Sequence, residues 1–196
     1  LLHRQDRAFV LESPSHPATA GVLADRGYIY RTLPVDESGA DVESLDPTGI
    51  SAIYVTPSHQ YPLGGILPAS RRTALLRMAE QNDFFIIEDD YDSEFRYAGA
   101  PISPIYALDA ARTIYVGTFS KSLFPALRVG FVVLPKALQA EWQRRRTYLD
   151  VQNPIVEQAT LTAFLRYRRM DRHVQRMRRI YAQRRRVLTE ALAAAF

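Results

Sequence analysis

The chain has 196 residues and no cysteine, and its 25 Lys and Arg against 21 Asp and Glu leave a formal net charge of +4. The lack of cysteine excludes disulfides, thiolate metal sites and cysteine nucleophiles. No run of about 20 apolar residues could cross a membrane, and the first residues carry no signal-peptide pattern, so we expect a cytoplasmic protein without a membrane partner.

Short apolar segments alternate with helical patterns over the first two thirds of the chain. The apolar segments predict strands at 8–12, 28–33, 50–56, 84–88, 113–117 and 129–134. Helices are predicted at 18–26, 71–82 and 102–108 and over most of 137–196, with Gly27 ending the first and Ser70 capping the second. This alternation predicts an α/β fold with a mostly parallel sheet whose strands are buried on both faces.

The last predicted helix is both amphipathic and strongly basic. Residues 166–186 contain ten arginines and a single acid, Asp171. Its apolar residues recur at steps of three, four and seven, which predicts a stripe that packs against another element. The stripe consists of Val174, Met177, Tyr181, Leu188 and Leu192. The arginines could contact nucleic acid phosphates, but no base-reading motif accompanies them, so we favour a solvated or salt-bridged face.

Polar side chains follow four of the predicted strands at the point where each strand ends. They are His16, the segment 58–61, the segment 89–92 and the segment 118–121. Ligands of open parallel sheets bind outside the carboxyl ends of the strands. If the strands are neighbours, these side chains therefore converge on one edge of the sheet.

The residue types at these strand ends suit a phosphorylated, cationic, aromatic ligand such as pyridoxal 5'-phosphate (PLP). Thr118, Ser120 and Arg128 can donate hydrogen bonds to a phosphate. Lys121 offers an amine nucleophile in the same segment. A buried carboxylate at Asp89 needs a charged partner, and a protonated pyridine nitrogen would keep the ring positive and make it an electron sink.

Two further side chains have predicted roles around the same ring. Tyr91 can hydrogen-bond the phenolic oxygen of the cofactor, and His16 can stack on the ring face. The acids of this region allow a different interpretation, because hard cations bind clustered carboxylates. The alternative metal site would use Asp89, Asp90, Asp92 and Glu94.

Three segments carry a family resemblance: residues 56–64 (TPSHQYPLG), 87–97 (IEDDYDSEFRY) and 117–130 (GTFSKSLFPALRVG). With the arginine-rich C-terminal segment, they resemble the MocR subfamily of GntR-type transcription regulators. The resemblance implies the three-layer α/β/α large domain of PLP-dependent transferase fold type I over residues 1–170 and a connecting helix over 171–196. It also implies a homodimer and, outside this chain, a small domain and a winged helix-turn-helix that binds DNA.

The resemblance also assigns roles to individual residues. Lys121 matches the Schiff-base lysine, Asp89 the partner of the pyridine nitrogen and Tyr91 a tyrosine near the cofactor oxygen. Thr118, Ser120 and Arg128 match the phosphate side of the site. The implied function is sensing of an amino-acid or amine effector, which displaces Lys121 from the cofactor and changes domain closure.

Three positions depart from the pattern of working aminotransferases. His16 stands where relatives place a stacking aromatic residue, Tyr61 stands where aminotransferases carry asparagine, and Leu63 replaces a threonine. These departures favour a cofactor-holding sensor, with Tyr61 still a candidate cofactor contact. The alternative is an active PLP-dependent aminotransferase that acts on an amino acid and a 2-oxo acid, and the motifs leave catalytic turnover open.

Overall fold

The computed structural model describes residues 1–96, 102–149 and 153–196. The chain forms two compact units. The first comprises Leu1–Tyr91, Pro101–Thr118 and Gly130–Val151, and the second comprises Asp92–Ala100, Phe119–Val129 and Gln152–Phe196. The division at residues 170 and 171 stays a prediction, and Tyr97, the last residue of one motif, lies outside the described residues. No helix in the described ranges is long and apolar enough to cross a membrane.

The first unit is built on a single seven-stranded sheet. Its strands are β1 (Ala8–Ser13), β2 (Tyr30–Asp36), β3 (Gly39–Ala40), β4 (Ile50–Val55), β5 (Phe85–Asp90), β6 (Thr113–Thr118) and β7 (Gly130–Val133). They lie in the order β3-β2-β1-β4-β5-β6-β7. The pairs among β2, β1, β4, β5 and β6 are parallel, and β3 and β7 pair antiparallel at the two edges. The predicted mostly parallel sheet is confirmed.

Two strands begin or end two or more residues away from their predicted bounds, for identifiable reasons. The second strand starts two residues later than predicted, because Tyr28 N–H donates to the carbonyl of Leu23 and belongs to the end of the preceding helix. Strand β5 ends two residues later than predicted, because it includes two acids that the sequence assigns to the following loop. Asp89 and Asp90 stay in the ladder because they pair with Val116 and Gly117 of β6.

Within the described residues, six α-helices connect or follow the strands. They are α1 (Pro17–Asp25), α2 (Ala69–Asn82), α3 (Ile105–Leu108), α4 (Lys136–Leu149), α5 (Ile155–Arg166) and α6 (Arg169–Ala195). Gly27 follows α1 with a φ of +66°, a conformation that glycine adopts at low cost. The predicted capping role of Ser70 is wrong: Pro68 occupies the N-cap position, and Ser70 lies inside the first turn of α2.

The core of the first unit lies between the central strands and α2. Val10, Ile53 and Ile86 come from three adjacent strands, and Leu75 of α2 and Phe84 pack into the same cluster. Each of these side chains is almost completely removed from water. Burial of one such side chain stabilises the fold by about 1.5–3 kcal/mol, so the cluster holds β1, β4 and β5 in fixed register.

The second unit contains the two C-terminal helices. Val174 of the predicted stripe is buried, and Tyr181 packs edge-on against Phe95, with ring centroids 5.2 Å apart. Leu188 and Leu192, further along the same stripe, are exposed. The stripe therefore packs over its first half and remains on the surface over its second half.

Candidate functional site

Asp89 lies near the carboxyl end of the central strand β5, where it is half-buried. The hydroxyl of Tyr54, on the neighbouring strand β4, donates a hydrogen bond to Asp89 Oδ2. Burial, followed by the negative charge of Asp89, raises the pKa of Tyr54 well above its ordinary value. The Tyr54 hydroxyl therefore keeps its proton at neutral pH and remains a donor to the carboxylate.

Sequence reasoning missed Tyr54. An aromatic residue in an apolar strand is ordinary core composition, so the segment Ile50–Val55 reads as a buried strand and no more. The one local signal is the hydroxyl itself, which needs a partner when the ring is buried. The partner follows from register: Tyr54 pairs with Ile87, which is two residues before Asp89 and on the same face of β5.

Three predicted contact residues form a chain of aromatic contacts in the first unit. The ring centroids of His16 and Tyr61 are 5.4 Å apart with a tilt of 42°, and those of Tyr61 and Tyr91 are 6.4 Å apart and edge-on. His16 also caps α1, because its Nδ1 accepts a hydrogen bond from Ala18 N–H at 3.2 Å. The Tyr91 hydroxyl donates to the backbone carbonyl of His59 at 3.0 Å. Their roles towards a ligand stay predictions.

A buried carboxylate that sequence reasoning also missed organises the loop that carries Tyr61. Glu12, at the end of β1, accepts hydrogen bonds from the hydroxyl of Thr56 at 2.6 Å and from its N–H at 3.2 Å. The side chain of Gln60 donates to Glu12 and, at 2.7 Å, to the carbonyl of Tyr61. Thr56 Oγ1 in turn accepts from Tyr61 N–H at 3.1 Å. The backbone at Tyr61 is thus tied to the end of β1.

This carboxylate makes stability depend on pH. Burial raises the pKa of Glu12 from 4.5 to about 7, and the nearby negative charge of Asp89 acts in the same direction. The folded chain therefore binds this proton more tightly than the unfolded chain. Its contribution to stability is complete below pH 4.5 and is lost as the pH rises through 7.

We expect Glu12→Gln to remove this dependence, because glutamine keeps an acceptor oxygen but carries no charge. As the pH rises from 5 to 8, wild type should lose about 2 kcal/mol of free energy of unfolding that the variant keeps. Urea unfolding at the two pH values measures the gain. Glu80→Gln, an exposed glutamate on α2, is the control and should follow wild type, whereas equal pH profiles for all three proteins would contradict the prediction.

The three consecutive acids of β5 have different partners. Glu88 is fully buried and accepts two hydrogen bonds of 2.9 Å from backbone N–H groups at the start of α3. Asp90 Oδ2 accepts from the hydroxyl of Tyr115 at 2.5 Å, and Asp89 accepts from Tyr54. In the part of the chain that the structure describes, no three His, Asp or Glu residues come together in a way that could hold a metal ion. The alternative metal site therefore gains no support from the geometry.

The end of β6 shows why its motif begins with glycine. Gly117 pairs with Phe131 of β7, and the ring of Phe131 lies where a Cβ atom at residue 117 would stand. A larger residue would require this exposed ring to move. Thr118, a predicted phosphate contact, is the last residue of β6 and pairs with Gly130.

Three other predicted site residues lie in one loop of the second unit. Ser120, Lys121 and Arg128 belong to the segment Phe119–Val129, whose ends are joined by a backbone hydrogen bond of 3.1 Å from Phe119 N–H to the carbonyl of Val129. Lys121 is exposed, and Arg128 has a φ of +50° after a short 3-10 turn. The loop thus presents an amine and a guanidinium from one short stretch of chain.

Comparison with known proteins decides the family. Residues 1–195 match the family described as aminotransferase class I and II. The chain belongs to this family. Its backbone is similar to those of solved aminotransferases. The kynurenine aminotransferase of Pyrococcus horikoshii, crystallised with PMP, matches with a TM-score of 0.86 and 30% identity. The match covers 95% of this chain and 49% of that one. The predicted α/β fold of fold type I is confirmed.

Within this aminotransferase family, transcription regulators are among the similar sequences. The pyridoxine biosynthesis regulator PdxR of Corynebacterium glutamicum is 40% identical over 93% of this chain and 40% of its own length. The probable rhizopine catabolism regulator MocR of Rhizobium meliloti is 38% identical over 90% of this chain and 36% of its own length. The predicted resemblance to MocR-type regulators is confirmed, and the chain spans about two fifths of the length of these relatives.

Proposed function

We propose that this chain is the PLP-binding, effector-sensing, aminotransferase-like domain of a MocR/GntR-type transcription regulator. The observation that carries the proposal is the position of Asp89, a half-buried carboxylate at the carboxyl end of a central parallel strand, where α/β proteins bind ligands. His16, Tyr61 and Tyr91 follow the carboxyl ends of β1, β4 and β5 on the same sheet. A carboxylate with aromatic neighbours fits a cationic pyridine ring.

The candidate residues divide into groups with different tasks in this proposal. Asp89 would bind the pyridine nitrogen, and Lys121 would hold the cofactor as an internal aldimine. Thr118, Ser120 and Arg128 would bind the phosphate, since a guanidinium can donate two hydrogen bonds to it. His16 and Tyr61 would contact the ring. Tyr91 would reach the phenolic oxygen by exchanging its hydrogen bond to His59, which its rotatable hydroxyl permits.

PLP when bound supplies an electron sink and an aldehyde carbon that amines can attack. We propose that an amino-acid or amine effector displaces Lys121 from this carbon and that the resulting change in domain closure reaches DNA through a winged helix-turn-helix in the rest of the protein. Residues 1–170 would form the large domain and residues 171–196 the connecting helix. The same proposal includes a homodimer. It also includes a cytoplasmic location, because a DNA-binding regulator works beside the chromosome.

Sensing is favoured over turnover by Tyr61 and Leu63. Aminotransferases carry asparagine and threonine at these positions, as described above. Tyr61 N–H is held by Thr56 Oγ1, and its carbonyl is held by Gln60, so the loop keeps a fixed backbone although its side chains have changed. The fixed backbone supports cofactor binding, whereas the changed side chains weaken the case for a complete catalytic site.

The distinguishing experiment offers the intact, PLP-loaded protein an amine donor and a 2-oxo acid. We expect the absorbance of the cofactor to change as the donor exchanges with Lys121 and the reaction to stop after about one equivalent of amine, since a sensor needs only the exchange. The P. horikoshii kynurenine aminotransferase with its own substrates is the positive control. Sustained turnover by the intact protein would contradict sensing and support the enzyme, and a wild-type protein that stays colourless with PLP would contradict both.

A further inference from the structure

We propose that Tyr54 is a positioning residue for Asp89: its hydroxyl orients the carboxylate and stabilises its charged form, and so sets how far a pyridine ring bound to Asp89 is protonated. This inference rests on the proposed PLP function and deepens it. It assigns a role to a residue that none of the three sequence motifs contains. It concerns the electronics of the cofactor, which binding alone does not determine.

Tyr54 and Asp89 lie on two interior strands of the sheet. Strands β4 and β5 are neighbours, and each has a further parallel partner on its other side. The parallel register places Tyr54 opposite Ile87, and Asp89 follows on the same face of β5. Both backbones are therefore fixed, and the tyrosine side chain spans the remaining step along the strand to reach Asp89 Oδ2.

The direction of the hydrogen bond is settled by the groups that face the Tyr54 hydroxyl. Asp89 on β5 and Glu12 on β1 both place negative charge near it, and with burial they raise the pKa of Tyr54. The side chain of Thr19, on α1, is a further hydrogen-bond partner. A phenol in these surroundings keeps its proton, so Tyr54 is the donor and the Asp89 carboxylate is the acceptor.

A donor to a carboxylate makes that carboxylate a weaker base. Asp89 and a pyridine nitrogen would share one proton, which resides either on the ring nitrogen or on a carboxylate oxygen. Tyr54 stabilises the ionised Asp89 and so holds the proton on the nitrogen. A carboxylate has about four acceptor positions, so a bond to Tyr54 leaves capacity for the ring N–H.

The test compares Tyr54→Phe with Tyr115→Phe in the intact protein. Tyr115 is a matched control, because its hydroxyl also donates to a β5 carboxylate, that of Asp90, at 2.5 Å. PLP labelled with 15N in the ring reports protonation of the nitrogen directly. We expect Tyr54→Phe to move the 15N signal towards the neutral pyridine value and to weaken PLP binding about tenfold, the effect of one lost hydrogen bond to a charged group.

Tyr115→Phe should leave both the 15N signal and the PLP affinity at the wild-type values. Thermal unfolding of both variants shows whether each is folded. Titration of the Asp89 carboxyl is a second readout that needs no cofactor. In the apo protein, 13C NMR should show the Asp89 carboxyl titrating at higher pH in Tyr54→Phe than in wild type.

The inference is overturned if Tyr54→Phe binds PLP with the wild-type 15N signal, or if the two variants change that signal equally. A wild-type protein that binds no PLP overturns the proposed function, and this inference with it. An unchanged 15N signal on PLP that does bind removes only the role of Tyr54. The two failures are therefore distinguishable.

Discussion

Replacing Lys121 with alanine is expected to abolish the visible absorbance that the intact protein develops with PLP. An aldimine needs a primary amine, and the loop of the second unit supplies one at Lys121, between Ser120 and a buried Ser122. Alanine removes the amine and leaves the other candidate contacts in place. The loss should be complete, since no neighbouring side chain in this loop can form the same bond.

Lys136 provides the matched control, because it is the only other lysine in the chain. It is exposed and begins α4 in the first unit. Lys136→Ala should keep the wild-type spectrum. Borohydride reduction followed by peptide mass analysis should place the phosphopyridoxyl group on Lys121 in wild type and in Lys136→Ala. Retention of the band in Lys121→Ala, or a label on Lys136, would show that the assignment of Lys121 is wrong.

Arg72→Met is expected to lower the free energy of unfolding by about 3–5 kcal/mol at neutral pH. Arg72 is 1% exposed and donates to the carbonyls of Leu67 and Pro57 at 2.8 and 2.7 Å. Its guanidinium also lies 3.7 Å from the carboxylate of Glu88, which is fully buried. Methionine fills a similar volume but leaves that carboxylate without this positive charge. It also leaves three carbonyls, those of Leu67, Pro57 and Ser103, without the arginine donors.

The loss should be smaller at pH 5 than at pH 7. Burial already raises the pKa of Glu88, against the opposing effect of Arg72. Without Arg72 that pKa rises further, so the carboxyl takes up a proton at low pH and the cost of a buried charge falls. For the same reason, adding Glu88→Gln to Arg72→Met should recover part of the stability at neutral pH.

Arg77→Met is the control for helix propensity and for loss of a positive charge. Arg77 lies on the same helix α2 but is exposed, and exposed substitutions of this kind change stability by about 0.5 kcal/mol or less. Urea unfolding of the three variants and wild type measures these differences. Equal losses for Arg72→Met and Arg77→Met would contradict a role for the buried pair.

Arg72 also holds the loop that carries Tyr61, a residue of the candidate site. It bonds the carbonyls of Pro57 and Leu67, which are the two ends of the loop that carries Tyr61. Inside the loop, Gln60 N–H donates to the carbonyl of Gly65 at 2.7 Å. The loop is therefore held at its base by a buried arginine and near Tyr61 by Glu12 and Gln60. A rigid loop of this kind keeps a binding side chain in place without a contribution from the ligand.

Several features of the fold could be predicted from the sequence because their causes are local. Apolar segments of five to seven residues separated by helical patterns indicate buried parallel strands. All six predicted strands overlap observed ones, and the bounds of four agree within one residue. The short strand Gly39–Ala40 was not predicted, because two small residues carry no pattern and the strand exists only through its pairing with Val35 and Asp36. The predicted N-cap at Ser70 is wrong because α2 begins earlier, with Pro68 at the N-cap position.

The α/β class, the family resemblance and the segments that carry polar side chains to the strand ends all follow from the order of residues along the chain. Which of those side chains work in pairs depends on the folded arrangement of the strands. Tyr54 and Asp89 are 35 residues apart, and Glu12 and Thr56 are 44 apart. Such pairs depend on strand order and register, which the crossover connections and the packed core establish together, so no local pattern of residues contains them.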